Sequence, residues 1–194
     1  MLALGIDPGT LHLGWGVVER DGNRLRHVAH GVIHLRSGTA LASRLSHIAS
    51  ALSEVVALQQ PGVAAVESLF FHKDAQAAAK LGHARGVVLL CLEQAGVEIA
   101  EYAPARVKRT VVGHGQADKR QVALMVRALL GLAAPPPSDA ADALALAITH
   151  LRLGTLTATP AQVAAGENVS PARERLLRLL QPGRRRARRS SSGR

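Results

Sequence analysis

Two short runs, Leu2-Ala3-Leu4-Gly5-Ile6 and Val63-Ala64-Ala65-Val66, are apolar at every position, and each is followed by an acid, Asp7 and Glu67. A strand with one wet face alternates apolar and polar residues. A run that is apolar throughout reads as a strand buried on both faces, which belongs inside a sheet covered by helices. The acids that follow these runs emerge at strand ends, where ligands bind in open α/β sheets.

The rest of the chain fits around these two strands. After the turn Asp7-Pro8-Gly9-Thr10, residues Gly14 to Glu19 read as a second strand, and Asp21-Gly22 signals a hairpin into a third, giving three antiparallel strands at the start. From Ala40 to Leu58, apolar residues at 41, 45, 48, 52, 55 and 56 keep helical spacing until Pro61-Gly62 stops the helix before Val63. A long helix over Lys73 to Gln94, a strand near Val97 to Tyr102, and helices around Pro104 to Thr110, Lys119 to Leu130 and Ser138 to Leu151 complete the pattern. The expected class is α/β, a mixed five-stranded sheet flanked by helices. Residues 1–153 are expected to form one domain, with a linker and a basic tail over 154–194 and a short helix at Ala172 to Leu180.

Charge is concentrated at the end of the chain: from Pro171 onward nine arginines against Glu174 place +8 of the formal +10 there. The run from Arg184 to Arg194 has no large apolar anchor, so it reads as a mobile tail that contacts phosphates without sequence preference, or simply as a solubilising tail. The single cysteine, Cys91, lies in an apolar stretch and reads as a buried thiol. No apolar run approaches the ~20 residues of a membrane span, and the N-terminus lacks the pattern of a signal peptide. A cytoplasmic protein with no membrane partner is expected.

Asp7, Glu67, Asp139 and Asp142 come from three distant parts of the chain. Ionised acids gathered in a half-buried site raise one another's pKa, and cations relieve that repulsion. Each acid also has an ordinary reading. Asp7 can hydrogen-bond its own turn, Glu67 can be solvated, and Ser138 or Asp139 can cap a helix whose macrodipole Asp142 meets favourably. Against capping alone, Ala140 through Ile148 is apolar on nearly every face apart from Asp142, so this helix is expected to be buried and to carry its acids, three residues apart, into the sheet.

Two of the chain's four aromatic residues, Phe70 and Phe71, stand together just after Glu67. A phenylalanine there can stack on an unpaired base or wedge open a base step, a role assigned first to Phe70, while the other packs in the core. Arg106, Lys108, Arg109, Lys119 and Arg120 bracket the loop Gly113-His114-Gly115-Gln116 and suggest a phosphate-binding edge. The nine histidines show no metal-ligand spacing.

With these residues assembled, the chain resembles the bacterial RuvC family of Holliday junction resolvases, which have a ribonuclease H-like fold. The resemblance rests on Gly-Ile-Asp-Pro-Gly-Thr at 5–10, Glu67 with Phe70, Leu81-Gly82-His83-Ala84-Arg85-Gly86, Val107-Lys108-Arg109-Thr110-Val111-Val112-Gly113, and Asp139-Ala140-Ala141-Asp142-Ala143-Leu144-Ala145, and it spans about residues 1–151. It implies a divalent-metal-dependent, structure-specific endodeoxyribonuclease, a homodimer that makes paired nicks in four-way junction DNA during recombination and repair. Asp7, Glu67, Asp139 and Asp142 would be metal ligands, and some relatives carry histidine at the position of Asp139. Two Mg²⁺ or Mn²⁺ ions per site would activate a water for in-line attack and stabilise the leaving oxygen, a choice that oxygen-only ligands favour over zinc. Lys108 and Lys119 would bind DNA near the scissile phosphate, with Phe70, Phe71 and Arg85 as further DNA contacts, and the helix bearing Leu81 to Gly86 would lie near the dimer contact. A branch-migration helicase complex, RuvA and RuvB, is the implied partner. Ser68 and the arginine tail depart from the shared pattern.

Two other readings share some of these features. The Asp-x-Gly-Thr turn followed by Gly14 resembles the phosphate loop of actin-like ATPases and sugar kinases, but the chain is too short for two such lobes. A non-catalytic junction-binding module would use the basic tail, yet a binder of polyanions gains nothing from four acids.

Overall fold

A computed structural model describes residues 1–68 and 75–157, all within one compact unit. The chain opens with β1 (Leu2–Asp7), β2 (His12–Asp21) and β3 (Arg24–His34), an antiparallel meander. Asp21 pairs with Arg24 across the two-residue loop Gly22-Asn23, where Gly22 has φ +56°. That left-handed backbone is why glycine follows Asp21 in this hairpin.

Helix α1 (Leu41–Gln59) then crosses to β4 (Val63–Glu67), which pairs in parallel with β1. Helix α2 (Ala75–Gln94) leads to β5 (Glu98–Tyr102), parallel to β4, and the sheet order is β3-β2-β1-β4-β5. Three helices follow: α3 (Pro104–Val112), α4 (Lys119–Leu130) and α5 (Ser138–Thr157). Asp118 and Gln121 form a reciprocal capping box that fixes where α4 starts.

The sheet is buried on both sides, as its central runs require. Leu4, Ile6, Ala64 and Val66 face a core shared with Ile48, Leu52, Val88 and Leu92 of α1 and α2. Ala3, Val63 and Ala65 face the opposite core with Val107, Val122, Leu144 and Ile148 of α3, α4 and α5. On this second side the backbones come very close: a Cβ on Gly5 would stand 1.8 Å from the carbonyl oxygen of Ala143, and one on Gly14 would stand 2.0 Å from that of Asp139. Only glycine lets α5 rest directly on β1 and β2.

Some boundaries differ from the sequence reading. Helix α5 runs to Thr157, past Gly154 where the linker is expected to begin, because Leu151 is fully buried and the core continues beyond Ile148. Strand β2 starts at His12 rather than Gly14, its first residue pairing with His34. Cys91 is buried as expected. Phe70, Phe71, the expected helix at 172–180 and the arginine tail lie outside the described residues. Among the described residues no helix is long and apolar enough to cross a membrane.

Candidate active site

Parallel pairing of β1 with β4 aligns Ile6 with Val66, so the next residues, Asp7 and Glu67, stand side by side at the same end of adjacent strands. Asp7 also pairs with Gly14 of β2, and the backbone of Asp139 sits over Gly14. The first turns of α5 are therefore held above the end of β1, and that contact delivers Asp142. The outcome is a cleft of about 220 Å³ lined by Asp7, Glu67 and Asp142, by Lys108 of α3 and by Lys119 of α4.

Its wall is apolar, made of Pro104, Val107, Val122 and Leu146. Val107/Val111 and Val122/Val126 are spaced as the inward faces of α3 and α4, so these residues were readable as core but not as cleft lining. They matter to the chemistry because they remove water from Asp7. Burial, followed by the negative charges of Glu67, Asp142 and Asp139, pushes the Asp7 carboxyl up to about 7, while Lys119 pulls the other way. The Lys119 ammonium donates to Oδ2 of Asp142 at 2.9 Å, and that hydrogen bond, with the nearby acids, raises the lysine's own pKa.

The structure thus gathers three of the four predicted acids and two of the predicted basic residues in one cleft. Asp139 does not line it, although its charge still acts on Asp7. Its backbone lies over Gly14 of β2, two strands away from β4. Arg106, Arg109 and Arg120 are exposed and outside the lining, as is His114.

Arg85, expected as a DNA contact, has partners within the protein. Its side chain is only 13% exposed and forms an ion pair with Glu101, while its Nε donates to the backbone carbonyl of Glu67 at 3.3 Å. The guanidinium therefore ties α2 to the ends of β4 and β5 instead of facing solvent. A further link absent from the sequence reading is Arg44 of α1, whose Nη1 donates to the carbonyl of Thr10 at 2.9 Å and braces the turn after Asp7.

The donor set suits hard divalent cations. All its groups are carboxylate oxygens, their mutual repulsion is visible at Asp7, and one of them already takes up a cationic side chain. Among the described residues no three acidic, histidine or cysteine groups close around a single point. The arrangement is an open carboxylate cleft, compatible with an ion that keeps part of its water shell.

The family model described as "Crossover junction endodeoxyribonuclease RuvC" matches residues 3–150. A protein of that description from Sorangium cellulosum (strain So ce56) is 58% identical over 180 residues, covering 92% of this chain and 99% of its own length. Another, from Rubrobacter xylanophilus, is 51% identical over 148 residues, 76% of this chain and 83% of its own. The structure of Thermus thermophilus RuvC in complex with a Holliday junction substrate matches with a TM-score of 0.74 at 37% identity, over 81% of this chain and 97% of that one.

Proposed function

The chain belongs to the RuvC family of crossover junction endodeoxyribonucleases, and we propose that Asp7, Glu67 and Asp142, with Asp139 beside them, are the carboxylates at which it cuts. The fold is ribonuclease H-like and the activity is that of a Holliday junction resolvase, a nuclease dependent on divalent metal. The observation that carries the site assignment is the convergence of three acids and two lysines from β1, β4, α3, α4 and α5 on one apolar-walled cleft.

The proposed ions are Mg²⁺ or Mn²⁺, two per site, which would supply water activation at neutral pH and charge stabilisation for an in-line displacement. Asp7, Glu67 and Asp142 would hold them, and Asp139 adds negative charge from outside the lining. Lys108 and Lys119 offer cations to the scissile phosphodiester, and Lys119 stays protonated throughout the working pH range because Asp142 supports its charge. Val107, Val122 and Leu146 keep bulk water from the acids, which strengthens each charge interaction in the cleft. Phe70, following Glu67 in sequence, is the first choice for a base contact at the junction, with Phe71 beside it as the second.

A homodimer places two such clefts about a two-fold axis, which matches the symmetry of a four-way junction and yields paired, symmetric nicks. Helix α2 is the proposed contact, and its Leu90, 56% exposed, supports that reading. A branch-migration complex of the RuvA and RuvB kind is the proposed partner upstream of cleavage.

The deciding experiment is cleavage of a synthetic four-way junction beside a linear duplex of the same sequence, with Mg²⁺ or Mn²⁺ and with chelator, for wild type and Asp7→Asn. Paired nicks on the junction alone, requiring metal and lost in the variant while binding persists, are expected. Tight binding with no cleavage across several junction sequences would leave only a binding module.

A further inference from the structure

A second cleft, of about 320 Å³, opens where β3 leaves the sheet and α1 begins. Among its lining residues are His34, Arg36, Thr39, Ser43, Arg44 and His47, and none of the lining residues is acidic. Two guanidinium groups, two imidazoles and two hydroxyls therefore surround one concavity, with no carboxylate to balance them.

Neither Arg36 nor Arg44 takes part in an ion pair among the described residues. Arg44 uses Nη1 to hold the Thr10 carbonyl, but its Nε is buried without a hydrogen-bond partner. A buried N–H with no acceptor is unfavourable, and more so on a charged group, so this arginine is incompletely satisfied within the protein alone. The adjoining start of α1 adds to the positive character: Ala40 supplies no side-chain cap, and no acid occupies the first turn. A planar guanidinium fork with hydroxyls beside it matches the oxygens of a phosphodiester.

The cleft lies on the same end of the sheet as the catalytic acids. His34 at the end of β3 pairs with His12 at the start of β2, just as Asp7 at the end of β1 pairs with Gly14. Two inter-strand steps separate β3 from β1, a distance of about 10 Å. A DNA strand with its scissile phosphate over Asp7 and its path along this edge passes the end of β3.

We propose that this cleft is a second phosphate site, which binds a backbone phosphate of the junction about two to three nucleotides from the scissile one. The proposal rests on the nuclease reading of the acidic cleft. Arg36 and Arg44 grip the phosphate, Ser43 adds a hydroxyl contact while the Thr39 hydroxyl donates to the Arg36 carbonyl at 2.8 Å, and the bond from Arg44 to Thr10 links occupation of the site to the turn that carries Asp7. The site fixes the register of the strand over the acids without touching the reacting atoms.

The test uses the full chain and a four-way junction in which each phosphate near the cleavage point is replaced, one at a time, by a neutral methylphosphonate. Equilibrium binding without added divalent metal is measured for wild type, Arg36→Ala and Arg44→Lys at several salt concentrations. Wild type is expected to lose several-fold in affinity at one position away from the scissile phosphate. Arg36→Ala, at an exposed residue, is expected to bind roughly tenfold more weakly, with a log–log salt slope smaller by about one, and to be insensitive to the modification at that same position. Arg44→Lys keeps the charge but loses the fork, and is expected to show the same insensitivity. If Arg36→Ala keeps the wild-type slope, or if variant and modification add independently at every position, the second site is wrong. A wild-type protein that neither binds nor cuts the unmodified junction would instead overturn the nuclease reading.

Discussion

The Lys119 ammonium lies 2.9 Å from Oδ2 of Asp142, so the first turn of α4 lends a cation to a carboxylate that α5 carries. The pair is largely solvent-accessible on the lysine side and contributes little to stability. Its influence is on the acids, because the same ammonium opposes the rise in the Asp7 pKa.

Replacing that cation should therefore change the pH profile as well as the rate. In Lys119→Met, Asp7 is expected to keep its proton to higher pH, moving the acidic limb of the cleavage profile upward, with the maximal rate lower by roughly 10²-fold. Single-turnover cleavage from pH 6 to 9 checks this. An unshifted profile with only weaker binding would reduce Lys119 to a phosphate contact.

Asp7 itself makes the metal-free protein sensitive to pH in an unusual direction. Burial and the neighbouring acids push its folded pKa up to about 7, from the 3.8 of an ordinary aspartate. Between these values the folded state holds a proton that the unfolded chain has released, so this group favours folding most at low pH and that benefit is lost as pH rises through 7. In chelator, wild type is expected to lose stability relative to Asp7→Asn by up to about 1.4 kcal/mol per pH unit between pH 5 and 7. Urea unfolding of both proteins across that range measures the difference, and Mg²⁺ should restore more stability at pH 8 than at pH 5.

Arg85→Ala separates an internal tie from a DNA contact. The guanidinium holds Glu101 and the Glu67 carbonyl, so its loss is expected to cost about 1–3 kcal/mol of stability and to lower the cleavage rate by loosening Glu67. Junction affinity and its salt slope should remain near wild type. Thermal unfolding, binding and single-turnover cleavage together decide the matter, and a reduced salt slope would restore the DNA-contact role.

Gly5→Ala is expected to be destabilising by about 3 kcal/mol or more, because the new methyl would meet the Ala143 carbonyl oxygen at 1.8 Å and neither backbone can yield without parting α5 from β1. Denaturant titration of the purified variant, or its failure to accumulate in soluble form, checks the prediction.

The positions of Asp7 and Glu67 could be read from sequence because continuous apolar runs place them at buried strand ends, and no other residue type intervenes. Asp142 is accessible for a similar reason, being the one charge within the apolar stretch from Ala140 to Ile148. Asp139 shows the limit of spacing arguments: three residues back on the same helix, it sits over Gly14 and outside the cleft lining, which depends on how α5 crosses the sheet. The inward turn of Arg85 and the reach of Arg44 to Thr10 likewise depend on which strand ends α2 and α1 meet. The extension of α5 beyond Gly154 was hidden because a glycine resembles a stop signal unless burial at Leu151 is known.

The contact of α5 with Gly5 and Gly14 has a thermal consequence. Asp142 is separated from Asp7 by a spacing that backbone meeting backbone determines, with no flexible side chain between the two surfaces to take up slack. Warming therefore cannot gradually widen the gap between these acids while the domain stays folded. Loss of cleavage on heating should follow the same transition as loss of structure, with no temperature interval in which an intact domain carries a disassembled catalytic centre.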